Sequence, residues 1–191
     1  LFFQYSGDII LFPIQLHKPN SIKMKRFITS FFALLIVLMS ISQENMDYFL
    51  PVDVSYNKNI PTPEEFFHQK VGEWHLSHTQ VLNYIYEIAR ISERASLEEY
   101  ARTYENRPLV HLIFTSEKNQ VNINELKQLH YNYSEPGSDF SDESVPLVVS
   151  LTYGVHGNES SATNSSVLTA YYLAAAEGEK IDKLLESTII I

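Results

Sequence analysis

Cysteine is absent from all 191 positions, which excludes disulfides, a thiolate metal site, a cysteine nucleophile and a lipid-attachment cysteine. Any metal site must therefore be built from histidine and carboxylates. Positive charge is scarce: 14 Lys and Arg stand against 23 Asp and Glu, for a formal net charge of −9. The first 42 residues are net +3, which leaves −12 across residues 43–191. An acidic body with no basic stripe interleaved with aromatics repels phosphate backbones and argues against nucleic acid as a partner. The longest apolar segment falls short of the roughly 20 residues that a membrane-spanning helix needs. Residue 1 is Leu1, where an initiator methionine would stand.

What is present indicates a globular chain. Apolar residues make up 45% of the sequence and aromatics 13%, enough for a packed core in a chain of one-domain length. Met24-Lys25-Arg26 precedes the apolar run Phe27 to Met39, and Ser40-Ile41-Ser42 follows it. A charged start, an apolar centre and small residues at positions −3 and −1 of a cleavage site after Ser42 read as a secretory signal peptide over residues 24–42. A membrane anchor or a buried helix is the alternative. An export signal belongs at the start of a translated chain, so residues 1–23 read as a non-native upstream segment. Residues 43–72 form an extended N-terminal arm, rich in Pro, Asn and Asp without a period from Tyr48 to Pro63.

Beyond the arm, Ser77 caps a helix whose apolar residues Val81, Leu82, Ile85, Ile88, Ala89 and Ile91 recur at helical spacing up to Arg94. Leu97–Tyr104 and Leu109–Ser116 read as strands of a hairpin around Glu105-Asn106-Arg107-Pro108. A shorter helix starts at Asn122 and runs to about His130, and residues 132–144 read as an exposed loop. Pro146–Tyr153 is dominated by Val, Leu and Tyr and reads as a buried strand; a helix from Ser160 to Glu177 follows. A helical piece, Glu179–Leu185, leads into Ser187 to Ile191, the opening of another buried strand. A run of isoleucines at a terminus is an unpaired, adhesive strand, so the sequence reads as a fragment prone to aggregate.

Between that buried strand and its helix stands Gly154-Val155-His156-Gly157-Asn158-Glu159. A catalytic zinc site takes three protein ligands and leaves a fourth position for water. His156 and Glu159 are the right types for two of the three, and a loop past the carboxyl end of a strand is where α/β sheets place ligands. Glycines on either side of the histidine let the backbone turn off the strand. His-x-x-Glu alone is a weak pattern; the competing reading is a surface loop with a carboxylate favoured by the helix dipole. His68, His75 and His78 near Trp74 read as ordinary surface histidines, because no carboxylate completes a coordination set at a recognisable spacing.

In order, spacing and motif, Glu73 to Ile191 resembles the N-terminal part of the zinc carboxypeptidase family. Glu99-Tyr100-Ala101-Arg102-Thr103-Tyr104-Glu105-Asn106-Arg107-Pro108-Leu109 looks like the family's G-x-S-x-E-G-R-P-I strand and turn, and His156-Gly157-Asn158-Glu159 like its metal loop. The resemblance implies an α/β mixed-sheet zinc-carboxypeptidase-like fold, of which residues 73–191 are the N-terminal part of a truncated domain. It implies Zn2+ held by His156, Glu159 and a later histidine, with a later glutamate as general base for water attack on the scissile carbonyl. An arginine near the metal would hold the substrate's C-terminal carboxylate. Beyond the two metal ligands no catalytic residue of the family lies in this chain, so the chain as it stands is expected to be inactive. Peptide or protein C-termini would be the substrates, outside the cytoplasm in a periplasm or the medium, with no stable membrane anchor after signal cleavage.

Three departures matter. Ala101 and Asn106 stand where the family usually has glycine, which suggests a different turn. Asn158 stands where digestive members carry arginine. The alternative function is a non-catalytic, carboxypeptidase-like binding module without a complete zinc site. Arg107 reads as part of a structural turn. Asn132, Asn158 and Asn164 each open a glycosylation acceptor triplet, and a glycan on Asn158 would obstruct the metal loop.

Overall fold

The computed structural model describes residues 25–33, 46–138 and 144–191. The chain falls into two units, Leu1–Gln43 and Glu44–Ile191. In the first, residues 25–33 are helical and exposed; residues 1–23, the Ser42 cleavage site and the centre of the 132–144 loop lie outside the described residues. Among the described residues no helix is long and apolar enough to cross a membrane.

The second unit is a mixed α/β fold. Its elements run α1 (Met46–Phe49), β1 (Ser55–Tyr56), α2 (Pro63–Phe67), α3 (His78–Ile91), β2 (Ala95–Arg102), β3 (Pro108–Phe114), α4 (Glu117–Val121), α5 (Ile123–Tyr133), β4 (Leu147–Val149), α6 (Ser160–Ala175), β5 (Ala176–Glu177), α7 (Glu179–Ser187) and β6 (Thr188–Ile190). The main sheet has the order β2-β3-β6-β4, antiparallel except for the parallel β6–β4 pair. A separate antiparallel pair, β1–β5, registers Ser55 with Glu177 and Tyr56 with Ala176.

Local chemistry sets the helix ends. Ser77 accepts from the Gln80 amide while Gln80 returns to the Ser77 amide, a reciprocal cap that satisfies two orphan donors of α3. Thr62 and Glu65 do the same for α2, with Pro63 at its first position. α3 stops at Ile91 because Ser92 turns extended and is buried, three residues earlier than the apolar spacing suggests. α6 carries buried side chains around its whole second half, as a helix covered on all sides must.

The core lies where α3 and α6 pack together over the sheet. Tyr84, Ile88, Val167 and Ala175 are completely buried there, each large aliphatic contributing roughly 1.5–3 kcal/mol of burial. Tyr84 packs edge-on to Phe66 at 5.1 Å and donates to the Pro61 carbonyl at 2.9 Å. Burial drives its phenol pKa well above the ordinary tyrosine range. Tyr56 of the arm stacks on Tyr171 at 5.4 Å. The arm is thus stitched into the body: Ile60 is core, and β1 pairs with the segment that leaves α6.

Structure and sequence differ most at the strands. Pro146–Tyr153 is not a buried strand: β4 is the short piece Leu147–Val149 at one end of the sheet, with Leu147 60% and Val148 47% exposed. Val149, the third residue of the strand, is 37% exposed as well, so side chains on both faces of β4 reach solvent. Main-chain bonds between Val149, Leu151 and Ile191 carry the ladder two residues further. The terminal strand shows the converse. Ile189 and Ile190 sit inside the sheet between β3 and β4 and are buried, so the exposed apolar edge is β4 and not the chain's last strand. The Asn122–His130 helix is α5, and the separate α4, capped by Ser116, precedes it.

The hairpin keeps its turn despite the missing glycines. Asn106 has φ +62°, the left-handed conformation a glycine would supply and one that asparagine tolerates. Ala101 falls at a register shift between Glu99 and Ala101, where a bulge absorbs one extra residue. Arg107 closes the turn through its backbone and pairs with Glu105 at 2.7 Å, a structural role.

Candidate metal centre

The loop that joins β4 to α6 carries both sequence-predicted ligands. Gly154 takes φ +69°, and a Cβ there would lie 3.2 Å from Thr163 Oγ1 on α6. Backbone conformation and close approach to the helix both favour glycine at this position. Gly157 meets neither demand: its φ is not positive and a Cβ would meet nothing within 4 Å. The Glu159 amide then donates to the His156 carbonyl at 3.0 Å, closing the turn that starts α6.

Glu159 occupies the N-cap of α6 but makes no side-chain cap bond to the helix. Its carboxylate reaches His156 instead, with Oε2 3.1 Å from Nδ1. Both side chains are largely in water, 68% and 58% exposed. A helix-start carboxylate is favoured by the dipole whatever its partner; its convergence on a histidine nitrogen is the additional fact. Two donors on a tetrahedral ion at zinc bond lengths lie roughly 3.3–3.6 Å apart, so the observed pair needs little movement to grip one ion. The donor set therefore fits zinc. Among the described residues no group of three His, Asp or Glu is placed to hold a metal.

Beside the loop, an apolar cleft of about 400 Å3 runs between α3, α6 and the sheet, with Leu151, Tyr153 and Val155 on its rim and Leu173 and Ile190 deeper in. Tyr153 donates to Thr169 Oγ1 at 2.9 Å across its mouth. His156 and Glu159 do not line this cleft.

The other sequence-flagged residues go elsewhere. His68, His75 and His78 are exposed, and His68 ends α2 in a left-handed conformation. Of the acceptor triplets, Asn132 and Asn158 are exposed. Asn164 is buried, accepting from the Leu76 amide at 3.1 Å and donating to the Trp74 carbonyl at 3.0 Å. That clamp escaped the sequence reading. The signal was available: Asn164 shares the helical stripe of Val167, Leu168 and Tyr171, where a polar residue must find partners.

A family model described as zinc carboxypeptidase matches residues 81–191. The chain belongs to the zinc carboxypeptidase family. The match takes in most of α3, the four-stranded sheet and the loop that carries His156 and Glu159, and the structure over this span is the mixed α/β arrangement described above. Comparison with the curated proteins and with the solved structures returned no match.

Proposed function

We propose that the chain is the N-terminal part of an exported zinc metallocarboxypeptidase that hydrolyses C-terminal peptide bonds, with His156 and Glu159 as two of its metal ligands. The observation that carries this is the convergence of His156 Nδ1 and Glu159 Oε2 to 3.1 Å on a glycine-hinged loop, within the span that places the chain in the family. When bound, zinc polarises the scissile carbonyl and acidifies a water. The chain's own contribution is positional. Gly154 turns the backbone onto α6, and the start of that helix presents Glu159 to His156. The third ligand, the general base and the residues that hold the substrate carboxylate come from sequence beyond residue 191 in this proposal. The Met24–Ser42 pattern supports export to a periplasm or the medium. In this proposal residues 43–72 are the arm and residues 73–191 belong to the peptidase domain.

The second reading is a carboxypeptidase-like binding module. What favours it is that only two candidate donors converge among the described residues. Elemental analysis of the full-length protein beside His156→Ala and Glu159→Gln variants decides between the readings. The parent is expected to hold about one zinc per chain and each variant markedly less; equal zinc in all three would remove the site. The 191-residue chain alone is expected to bind zinc weakly and to hydrolyse no peptide, since two ligands do not close a site. Hydrolysis by the pure chain would refute this assignment of roles.

A further inference from the structure

The loop between β4 and α6 has little main-chain bonding to hold it. The Leu151 amide donates to the Ile191 carbonyl at 2.7 Å, and the Glu159 amide to the His156 carbonyl at 3.0 Å. Among the described residues, residues 152–158 make no other main-chain hydrogen bond. Three contacts hold the segment instead, all with α6 or its cap. The Gly154 backbone lies close against Thr163, and Glu159 meets His156. The third is Tyr153, whose hydroxyl donates to Thr169 Oγ1 at 2.9 Å. Thr169 Oγ1 in turn donates to the Ser165 carbonyl at 3.2 Å, which commits its one proton and leaves a lone pair for the tyrosine. The direction of the bond is thereby fixed. The Tyr153 ring lines the apolar cleft and is 40% exposed.

We infer that Tyr153 is a positioning residue for the His156–Glu159 pair: its hydroxyl, fastened to Thr169, ties the entry of the loop to the helix that Glu159 heads. Both ends of the connection are then held by one rigid element, and the pair is ordered before a metal arrives. This rests on the metal-ligand reading above and adds to it a residue that touches neither ligand. The place of the anchor matters. Gly154 follows it directly, and glycine has the widest backbone freedom of any residue, so a fixed point just ahead of it removes the most disorder. A site whose loop is ordered in advance binds at smaller entropic cost.

The test uses full-length protein and zinc titrated against a competing chelator. Tyr153→Phe keeps the ring in the cleft and removes only the hydroxyl. It and Thr169→Val are each expected to weaken zinc binding about fivefold, the size of one exposed hydrogen bond. The double variant should lose no more than either alone, because both remove the same contact, and Thr169→Ser, which keeps the hydroxyl, should retain the parental affinity. Unchanged affinity in Tyr153→Phe, or losses that add in the double variant, would overturn the inference. A second measurement needs no metal. In zinc-free protein the backbone order parameters of Gly154–Glu159 should fall below about 0.6 in Tyr153→Phe, while those of α3 stay near about 0.85. If the parent takes up no zinc, the ligand reading fails and the order parameters still decide this one; equal values across the loop in parent and Tyr153→Phe sink it.

Discussion

Asn164→Ala removes a clamp that joins α6 to the segment before α3, and its cost can be worked from the geometry. Asn164 is buried and uses both ends of its amide, toward Leu76 N–H at 3.1 Å and Trp74 C=O at 3.0 Å. Leu76 is buried, so its amide loses a partner that water replaces poorly, a penalty of about 1–3 kcal/mol. The Trp74 carbonyl belongs to an exposed residue and can turn to solvent, which limits that loss to about 0.5–1.5 kcal/mol. Alanine returns roughly 0.5 kcal/mol through its higher helix propensity. The net expectation is a loss of about 1–4 kcal/mol, read as a lower urea midpoint by circular dichroism with an unchanged slope. Because Trp74 is the single tryptophan, its fluorescence anisotropy should fall in the same variant before unfolding. Trp74→Ala is the control: its exposed indole should change stability by under about 0.5 kcal/mol. A change below about 0.5 kcal/mol in Asn164→Ala, with unaltered anisotropy, would refute the clamp.

Other perturbations test neighbouring features. Gly154→Ala forces a side chain into the left-handed region 3.2 Å from Thr163 Oγ1; a loss of about 1–2 kcal/mol is expected, together with weaker zinc retention in the full-length protein, and wild-type values for both would show that the glycine is dispensable. Val148→Lys on the exposed β4 edge should raise solubility and suppress self-association measured by light scattering; the same substitution at the interior Ile190 should instead unfold the chain. The Glu65 carboxylate is held below its ordinary value of 4.5 chiefly by the Thr62 backbone N–H and then by the Thr62 hydroxyl. A depressed carboxylate stabilises the fold above about pH 4.5, and that contribution fades as pH falls through the folded value. The urea-midpoint difference between parent and Glu65→Gln should therefore shrink on going from pH 7 to pH 3. A difference independent of pH would exclude the cap as its source.

Much of the fold was legible because the determining interactions are local. Ser77 and Gln80 sit three apart and cap each other, and a 14-residue helix with period-3.6 apolar residues follows, its limits set by that cap and by the turn at Ser92. The hairpin announced itself by β-rich runs around a polar turn, and the structure adds that Asn106 stands in for glycine by adopting φ +62°. Strand burial was not legible. Leu147-Val148-Val149 and Thr188-Ile189-Ile190 are alike in composition, yet one is an exposed edge and the other lies inside the sheet. Composition reports that a strand can be buried; neighbours decide whether it is.

For the candidate site the division is similar. The residues His156 and Glu159, their separation of three, and the glycine before the histidine are properties of the sequence, and in a chain without cysteine histidine and carboxylate are the donor types a metal site would draw on. That the carboxylate leaves its own helix end to meet the imidazole at 3.1 Å, that Gly154 takes a positive φ close against α6 while Gly157 does neither, and that Asn164 ties a distant tryptophan segment to the same helix were decided by tertiary structure. Spacing along a chain limits which groups can meet within a turn or a helix. Contacts such as Asn164 with Trp74, 90 positions apart, depend on how α3 and α6 pack over the sheet, and no local rule contains that information.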